Sequence, residues 1–369
     1  MKIIITYASA GAGHFKAAEA VYNYFKQDCL NKDLDVQLVD VLEKSTSFFK
    51  RCYLAGYAVL IRHITFIWAI AFWFTSFKLL RPLTRPISSL INYLNTQKFA
   101  KFLIQENPDY VISAHFLPSE IAAHLKQAKK IKSKIITVVT DFGVHPYWLS
   151  KGTDTYVVAS SFTREILIKE GVDSSIVKEF GIPIDEKFTK TYNKEELCRK
   201  LEIDSSKFTL LIMTGSFGIG PIEETVELLR DQMQILVVCA NNKKLFEQLK
   251  NKNYPTVRTF AFVNNVQELM AVSDCIVTKP GGLSSSELLS MALAPIFIAA
   301  IPGQETINMH ALESLGVGIS ATNAEDIKNK VLDYKEYPEK LKTTKDRIQQ
   351  IRKPHAAGEL CNAVCQGRI

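Results

Sequence analysis

Short runs of β-branched and aliphatic residues recur along most of the chain, each followed by a segment of helical periodicity. This is the pattern of parallel sheets covered by helices on both faces. The first series of runs is Lys2–Ala8, Val36–Val41, Tyr110–Ala114, Ile135–Thr140 and Thr155–Ala159. The second is Thr209–Thr214, Ile235–Cys239, Val257–Phe260, Cys275–Thr278, Ile296–Ala299 and Gly318–Ser320. Between them, the Gly181-Ile182-Pro183-Ile184 turn and the polar stretch 185–207 read as a boundary, so the expected fold class is α/β with two doubly wound units. Open sheets of this kind bind ligands beyond the carboxyl ends of their strands, and the loops there are where chemistry is to be sought.

A length of 369 residues suits two domains, and 47% hydrophobic with 22% charged residues is a globular composition. The cysteines, at 29, 52, 198, 239, 275, 361 and 365, form no C-x-x-C pair and have no histidine at zinc spacing. They read as reduced thiols of a cytosolic protein. Met1 leads directly into Lys-Ile-Ile-Ile-Thr-Tyr, too short for the apolar core of a signal peptide, so the chain is expected to open on a strand.

The net charge of +7 has one source. From Lys44 to Gln105 there are nine Lys or Arg and no Asp or Glu, whereas the rest of the chain carries 36 basic against 38 acidic residues. Within this stretch, residues 64–77 are 14 uncharged and mostly apolar residues, short of the roughly 20 that a spanning helix requires. Arg62 and His63 separate them from a second apolar run, and Lys50, Arg51, Lys78, Arg81 and Arg85 flank the pair. Aromatic residues such as Trp68 and Trp73 among cations fit the surface of an anionic bilayer. So greasy a segment speaks against nucleic acid as a partner, and a buried helical hairpin is the alternative.

Three loops combine glycine with polar residues. Ser9-Ala10-Gly11-Ala12-Gly13-His14 follows the first run and enters a helix, with the imidazole of His14 at its mouth. Thr214-Gly215-Ser216-Phe217-Gly218 occupies the equivalent place in the second series. Lys279-Pro280-Gly281-Gly282-Leu283-Ser284-Ser285-Ser286-Glu287 again links a strand to a helix. Glycine lets backbone approach a ligand, and helix N-termini offer unpaired N–H groups to phosphate. A carboxylate one turn into the helix, Glu287, can accept from both ribose hydroxyls; alone, the same segment reads better as a capped helix with a solvated Glu. One unit later, Pro302-Gly303-Gln304-Glu305-Thr306-Ile307-Asn308 sets amides beside a carboxylate, a donor and acceptor set suited to sugar hydroxyls.

Taken in order, these segments resemble glycosyltransferase family 28, in the branch of monogalactosyldiacylglycerol synthases and processive diacylglycerol glucosyltransferases. Gly11-Ala12-Gly13-His14 with Ala17-Ala18, the segment from Val139 to Trp148 containing Asp141 and His145, and Gly181-Ile182-Pro183 carry the likeness in the first half. In the second half it rests on Gly215, Ser216 and Gly218, on Phe262 and Val263, on Gly281 to Glu287 and on Gln304, Glu305 and Asn308. The resemblance implies a GT-B architecture of two Rossmann-like domains facing each other across a cleft. Residues 1–185 would form the acceptor and membrane domain, with 45–105 its membrane-associating stretch. Residues 186–335 would bind the UDP-sugar, and 336–369 would be helices crossing back to the first domain.

The implied activity is inverting transfer of a hexose from UDP-glucose or UDP-galactose to 1,2-diacylglycerol on the cytoplasmic face of a membrane, by a peripheral protein that needs no metal or other cofactor. In the implied site, Gly215, Ser216 and Gly218 meet the diphosphate, Phe262 and Val263 the uracil, and Gly281 through Glu287 the ribose and phosphate. Gln304, Glu305 and Asn308 meet the sugar. His14 is the first choice of base and Asp141 its rival or its charge partner; His145 is third. Gly13, His145, Trp148, Arg62, Trp68, Trp73, Lys78 and Arg81 belong to the acceptor and membrane side. The alternatives are transfer to a polyprenyl-linked glycan, as in the lipid II branch, and a non-catalytic protein that binds nucleotide-sugar or lipid.

Overall fold

The computed structural model describes residues 1–27, 33–63, 65–215, 218, 220–298 and 302–369, and only the backbone of 57–63, 65, 67, 68 and 71. Cys29 and Ser216 therefore lie outside the described residues, as do the side chains of Arg62 and Trp68.

Strands β1 (Lys2–Tyr7), β2 (Asp35–Asp40), β3 (Tyr110–Ser113), β4 (Lys134–Val138), β5 (Thr155–Val157) and β6 (Val177–Lys178) form one parallel sheet in the order β2-β1-β3-β4-β5-β6. Strands β7 (Thr209–Met213), β8 (Gln234–Val238), β9 (Val257–Phe260), β10 (Cys275–Thr278), β11 (Ala294–Ile298) and β12 (Ile319–Ala321) form a second, in the order β12-β11-β10-β7-β8-β9. The all-parallel pairing explains the continuous apolar runs, because both faces of each sheet are covered: every residue of β3, β8, β10 and β11 is buried. The expected strands are all present, several one or two residues shorter at the carboxyl end. β6 was not expected; two residues at a sheet edge carry too little pattern to be read.

Each sheet reverses its winding once. In the first the reversal lies between β1 and β3, and in the second between β7 and β10. At such a switch point the loops leaving two adjacent strands diverge and open a crevice. His14 leaves β1 and His115 leaves β3, whereas Gly215 and Gly218 leave β7 and Gly281 leaves β10. The topology thus brings the motif loops of each half to one place.

Helices α1 (Ala12–Gln27), α2 (Ser47–His63), α3 (Thr65–Ser76), α4 (Arg81–Asn95), α5 (Gln97–Glu106), α6 (Phe116–Gln127) and α7 (Ser161–Lys169) belong to the first sheet's half. The second contains α8 (Lys194–Lys200), α9 (Ile222–Leu229), α10 (Lys243–Asn251), α11 (Val266–Val272), α12 (Gly282–Ser290), α13 (Gln304–Ser314) and α14 (Ala324–Glu336). After α15 (Pro338–Ile351), α16 (Ala356–Cys365) returns to the first half and packs on α1. Gly358 makes the crossing close, since a Cβ there would stand 3.0 Å from the Tyr24 ring. Cys361 meets the Val21 carbonyl at 3.6 Å, and the Tyr110 hydroxyl donates to the Ile369 carbonyl at 3.3 Å.

Helix α4 is turned against the usual rule. It has no buried residue, and Leu83, Ile87, Leu90, Ile91 and Leu94 are 49–66% exposed. Its polar side faces the protein: Ser89 and Asn92 donate to Glu120, and Arg81 pairs with Glu170 at 2.5 Å. On α3, Phe66, Ile70, Trp73 and Phe74 are also about half exposed or more, followed by Phe77 and Leu79. No helix among the described residues is long and apolar enough to cross a membrane.

Candidate active site

His14 stands in the first turn of α1, half-buried, and its surroundings decide which nitrogen can act. Nδ1 lies 3.0 Å from the Ala114 carbonyl and 2.8 Å from the Thr140 hydroxyl. A carbonyl only accepts, so Nδ1 carries the hydrogen and Nε2 keeps its lone pair. Burial pushes the His14 pKa down, which keeps the ring neutral and ready to take a proton; the nearby negative charge of Asp141 and the Ala114 bond oppose the shift and favour the cation once formed. The two opposing influences are those required of a base that must become an imidazolium during the reaction.

Asp141 is buried, and its carboxylate is held from the other half of the molecule. The Gln304 amide donates to both oxygens at 2.7 Å, and Asn308 Nδ2 donates to one at 3.1 Å. Asn308 Oδ1 in turn accepts from the backbone N–H groups of Phe142 and Gly143, each at 2.9 Å. Gln304 and Asn308, expected at the sugar, are in this structure the clasp on Asp141. Their amides are the nearest donors to a carboxylate that would otherwise be buried without partners. The two halves also touch through glycine: a Cβ on Gly282 would come 2.0 Å from the Thr140 carbonyl oxygen, and one on Gly143 would strike the Ile307 side chain.

His145, expected on the acceptor side and third in line as base, is committed elsewhere. Nδ1 accepts from the Tyr147 N–H at 3.2 Å, capping the 3-10 turn Pro146–Trp148, and Nε2 lies 3.2 Å from the Thr75 hydroxyl. Burial pushes its pKa down to about 4, against a bond to the Phe72 carbonyl and with help from Arg81. Trp148 is buried and lies 6.1 Å from the His14 ring, forming one wall of the site. Arg81, expected at lipid headgroups, is engaged with Glu170 and the Ser76 carbonyl, and it holds that carboxyl below its ordinary range. Lys78 remains exposed, with a 3.5 Å contact to Glu170.

In the second half, Gly281 and Gly282 start α12 with no side-chain cap, which leaves its first N–H groups toward the cleft. Gly13 and Leu283 meet across it, a Cβ on Gly13 lying 3.6 Å from that of Leu283. Ser284 donates to the Gly281 carbonyl at 3.2 Å, while the buried hydroxyls of Thr214 and Ser285 have no partner among the described residues. Gly215 and Gly218 both adopt positive φ, +81° and +53°, as a tight loop after β7 demands. The Glu287 carboxyl is pushed up to about 8 by burial; Lys187 and Lys16 oppose the shift and Asp185 reinforces it. Phe262 is 67% exposed and Val263 packs half-buried beside it. Glu305 is half-buried in the first turn of α13. Among the described residues, no group of three or more His, Cys, Asp or Glu side chains is assembled that could hold a metal ion.

Of two further neighbours of His14, His115 was not named from sequence and Thr140 only within the Val139–Trp148 segment. His115 is buried, with its ring edge-to-face on His14 at 4.6 Å, and its Nδ1 accepts from the Leu117 N–H to cap α6. Thr140 ends the β4 run. His115 follows β3 at the switch point and Thr140 follows the adjacent β4, and a polar residue just after a strand of an open sheet is the signal that could have found them.

Residues 14–184 match the family model of monogalactosyldiacylglycerol (MGDG) synthase, and residues 209–360 that of the glycosyltransferase family 28 C-terminal domain. The processive diacylglycerol beta-glucosyltransferase of Staphylococcus epidermidis is 29% identical over 371 residues, covering 98% of this chain and 91% of that protein. The protein of the same name from Bacillus cereus strain G9842 is 28% identical over 376 residues, covering 98% and 93%. Among solved structures, MurG of Acinetobacter baumannii has a TM-score of 0.60 at 13% identity over 99% of both chains. HepE of Anabaena in complex with UDP has a TM-score of 0.56 at 14% identity, over 99% and 100%. These likenesses are of fold, and the fold is GT-B.

Proposed function

We propose that this chain, which belongs to the glycosyltransferases of family 28 in the MGDG synthase branch, moves a hexose from a UDP-sugar to the free hydroxyl of 1,2-diacylglycerol, making a membrane glycolipid. The names of the relatives favour glucose over galactose. The observation that carries the reading is the arrangement at His14. Its Nδ1–H is tied to a carbonyl, which leaves the Nε2 lone pair to accept, and the charge of Asp141 is near enough to favour the cation.

In this reading Nε2 of His14 takes the proton of the acceptor hydroxyl while that oxygen attacks the anomeric carbon from the face opposite UDP. The bond to UDP breaks, configuration inverts, and the imidazolium is stabilised by Asp141. The departing diphosphate is met by N–H groups at the start of α12 and in the Gly215–Gly218 loop. The Glu287 carboxylate receives the ribose hydroxyls and uracil lies by Phe262 and Val263. Glu305, with Gln304 and Asn308 once released from Asp141, serves the sugar. Residues 1–185 supply the acceptor side, 186–335 the donor side, and 336–369 bind the two together.

The reading also sets the exposed apolar faces of α3 and α4 against an anionic membrane surface at the cytoplasmic face. Lys50, Arg51, Lys78, Lys98 and Lys101 flank or neighbour these helices in the sequence, and no acidic residue occurs between 44 and 105. Purified protein, incubated with anionic liposomes containing diacylglycerol and UDP-glucose, UDP-galactose or UDP-N-acetylglucosamine in turn, is expected to form a glycolipid with UDP-glucose. Absence of product with every donor would end the proposal. Product only when a polyprenyl-linked glycan replaces diacylglycerol would move the chain to the lipid II type of acceptor.

A further inference from the structure

Among the mostly exposed aromatic side chains of α3, Phe72 is 8% exposed and turned inward. Its ring fills the place a side chain at position 303 would need: a Cβ on Gly303 would lie 2.7 Å from the Phe72 Cγ. Gly303 has φ +104° and begins α13, so the next residue is Gln304, whose amide holds Asp141. The Phe72 ring also lies 4.7 Å from the His145 ring, and His145 reaches the Phe72 carbonyl and the Thr75 hydroxyl. The carboxyl-terminal turn of α3 is therefore fastened to the acceptor-side loop through His145 and to the donor-side turn through Phe72.

We infer that Phe72 is a positioning residue of the donor-sugar site, delivered to the Gly303–Gln304 turn by the helix whose opposite face is exposed and apolar. The inference rests on the UDP-sugar reading above. It acts by fixing the turn from which Gln304 and Glu305 project. A rigid aromatic ring against a glycine leaves that turn little freedom, and loss of the ring would leave a void beside backbone in a left-handed conformation. The same contact makes the orientation of the donor turn depend on where α3 sits, which on the proposed reading is set by the bilayer.

The test is calorimetric titration of the full-length protein with UDP and with UDP-glucose, for wild type, Phe72→Ala and Phe72→Leu. Phe72→Ala is expected to weaken UDP-glucose binding by roughly tenfold or more while UDP stays within about twofold, and Phe72→Leu to recover most of the loss. In the transfer assay the loss should fall on KM for UDP-glucose, with co-sedimentation on anionic vesicles unchanged. Equal weakening of UDP and UDP-glucose, no change in either, or a loss confined to vesicle binding would overturn the inference. Since titration needs no acceptor, wild-type protein that binds UDP-glucose but glycosylates no diacylglycerol would sink the proposed acceptor while the Phe72 comparison still reads out. Wild-type protein that binds neither nucleotide would overturn both.

Discussion

The second sheet and the helices of residues 65–95 are both rich in large apolar side chains and dispose of them in opposite ways. In β8 and β11 every residue is buried, and the branched side chains pack against helices on each face. In α4 the aliphatic residues point to solvent and the polar ones point inward, Ser89 and Asn92 to Glu120 and Arg81 to Glu170. The sheet satisfies its apolar surface within the chain. The helices keep theirs available, at roughly 25 cal/mol for each Å² left in water, and only a partner that is itself apolar recovers that free energy. Five aliphatic residues in register along a helix held in place by half-buried polar contacts are a built surface and not a defect of packing.

The sharpest way to break this comparison is to put the same charge on each side of it. Ile296→Asp in β11 should destabilise the fold by about 4 kcal/mol or more, since it buries a carboxylate without a partner. Leu90→Asp on α4 should stay within about 0.5 kcal/mol. Chemical denaturation of the two variants measures both, and equal losses would mean that the α4 face is covered in solution.

A second contrast separates chemistry from attachment. His14→Ala should reduce turnover by about two orders of magnitude or more with vesicle binding intact. The triple variant Leu83→Ser, Ile87→Ser, Leu90→Ser should weaken co-sedimentation with anionic vesicles by about tenfold or more with its melting temperature unchanged. In the wild type, kcat/KM should fall as pH drops through a His14 pKa below the ordinary 6.5, because only the neutral ring accepts the proton. A flat acid limb, or turnover of His14→Ala near that of wild type, would transfer the role to Asp141.

The smallest effect expected is at Glu287, whose carboxyl is raised to about 8. Ribose hydroxyls donate to the ionised form, so UDP affinity should rise several-fold between pH 6.5 and 8.5 and then level, whereas Glu287→Gln should be flat. The stability sign is opposite. A raised carboxyl favours the protonated folded form, a contribution fully present below the unfolded value near 4.5 and lost as pH rises through about 8. Glu287→Gln should therefore melt higher than wild type at pH 8.5 and alike at pH 4. Titrations and thermal melts across that range would show whether the buried carboxyl is kept for a ligand.

Both sheets could be read from sequence because the signal is local. Branched residues in short runs, each followed by a segment of helical periodicity, identify buried parallel strands without any knowledge of neighbours. The same locality exposed His14 and the 279–287 segment, since a loop after a strand in an open sheet is a ligand-binding place wherever it occurs. His145 and Arg81 were legible as polar residues near the site, but their engagement was not: Thr75 and Phe72 lie some seventy positions from the one, Glu170 nearly ninety from the other. His115 passed unnoticed because a histidine after a strand has no spacing signature, and the ring stacking that makes it a neighbour of His14 spans about a hundred residues.

What the sequence determined by itself, then, is the succession of strands and helices, the glycine-rich loops after β1, β7 and β10 and the apolar, acid-free character of residues 44–105. These follow from backbone preferences and side-chain periodicity within a few residues of each position. Only the tertiary structure decided that Gln304 and Asn308 clasp Asp141, that Phe72 rests on Gly303, and that α4 turns its aliphatic face outward. An amphipathic pattern states that a helix has two faces, and what each face meets is fixed by partners distant in the chain, here Glu120 and Glu170, whose hydrogen bonds hold the polar side inward.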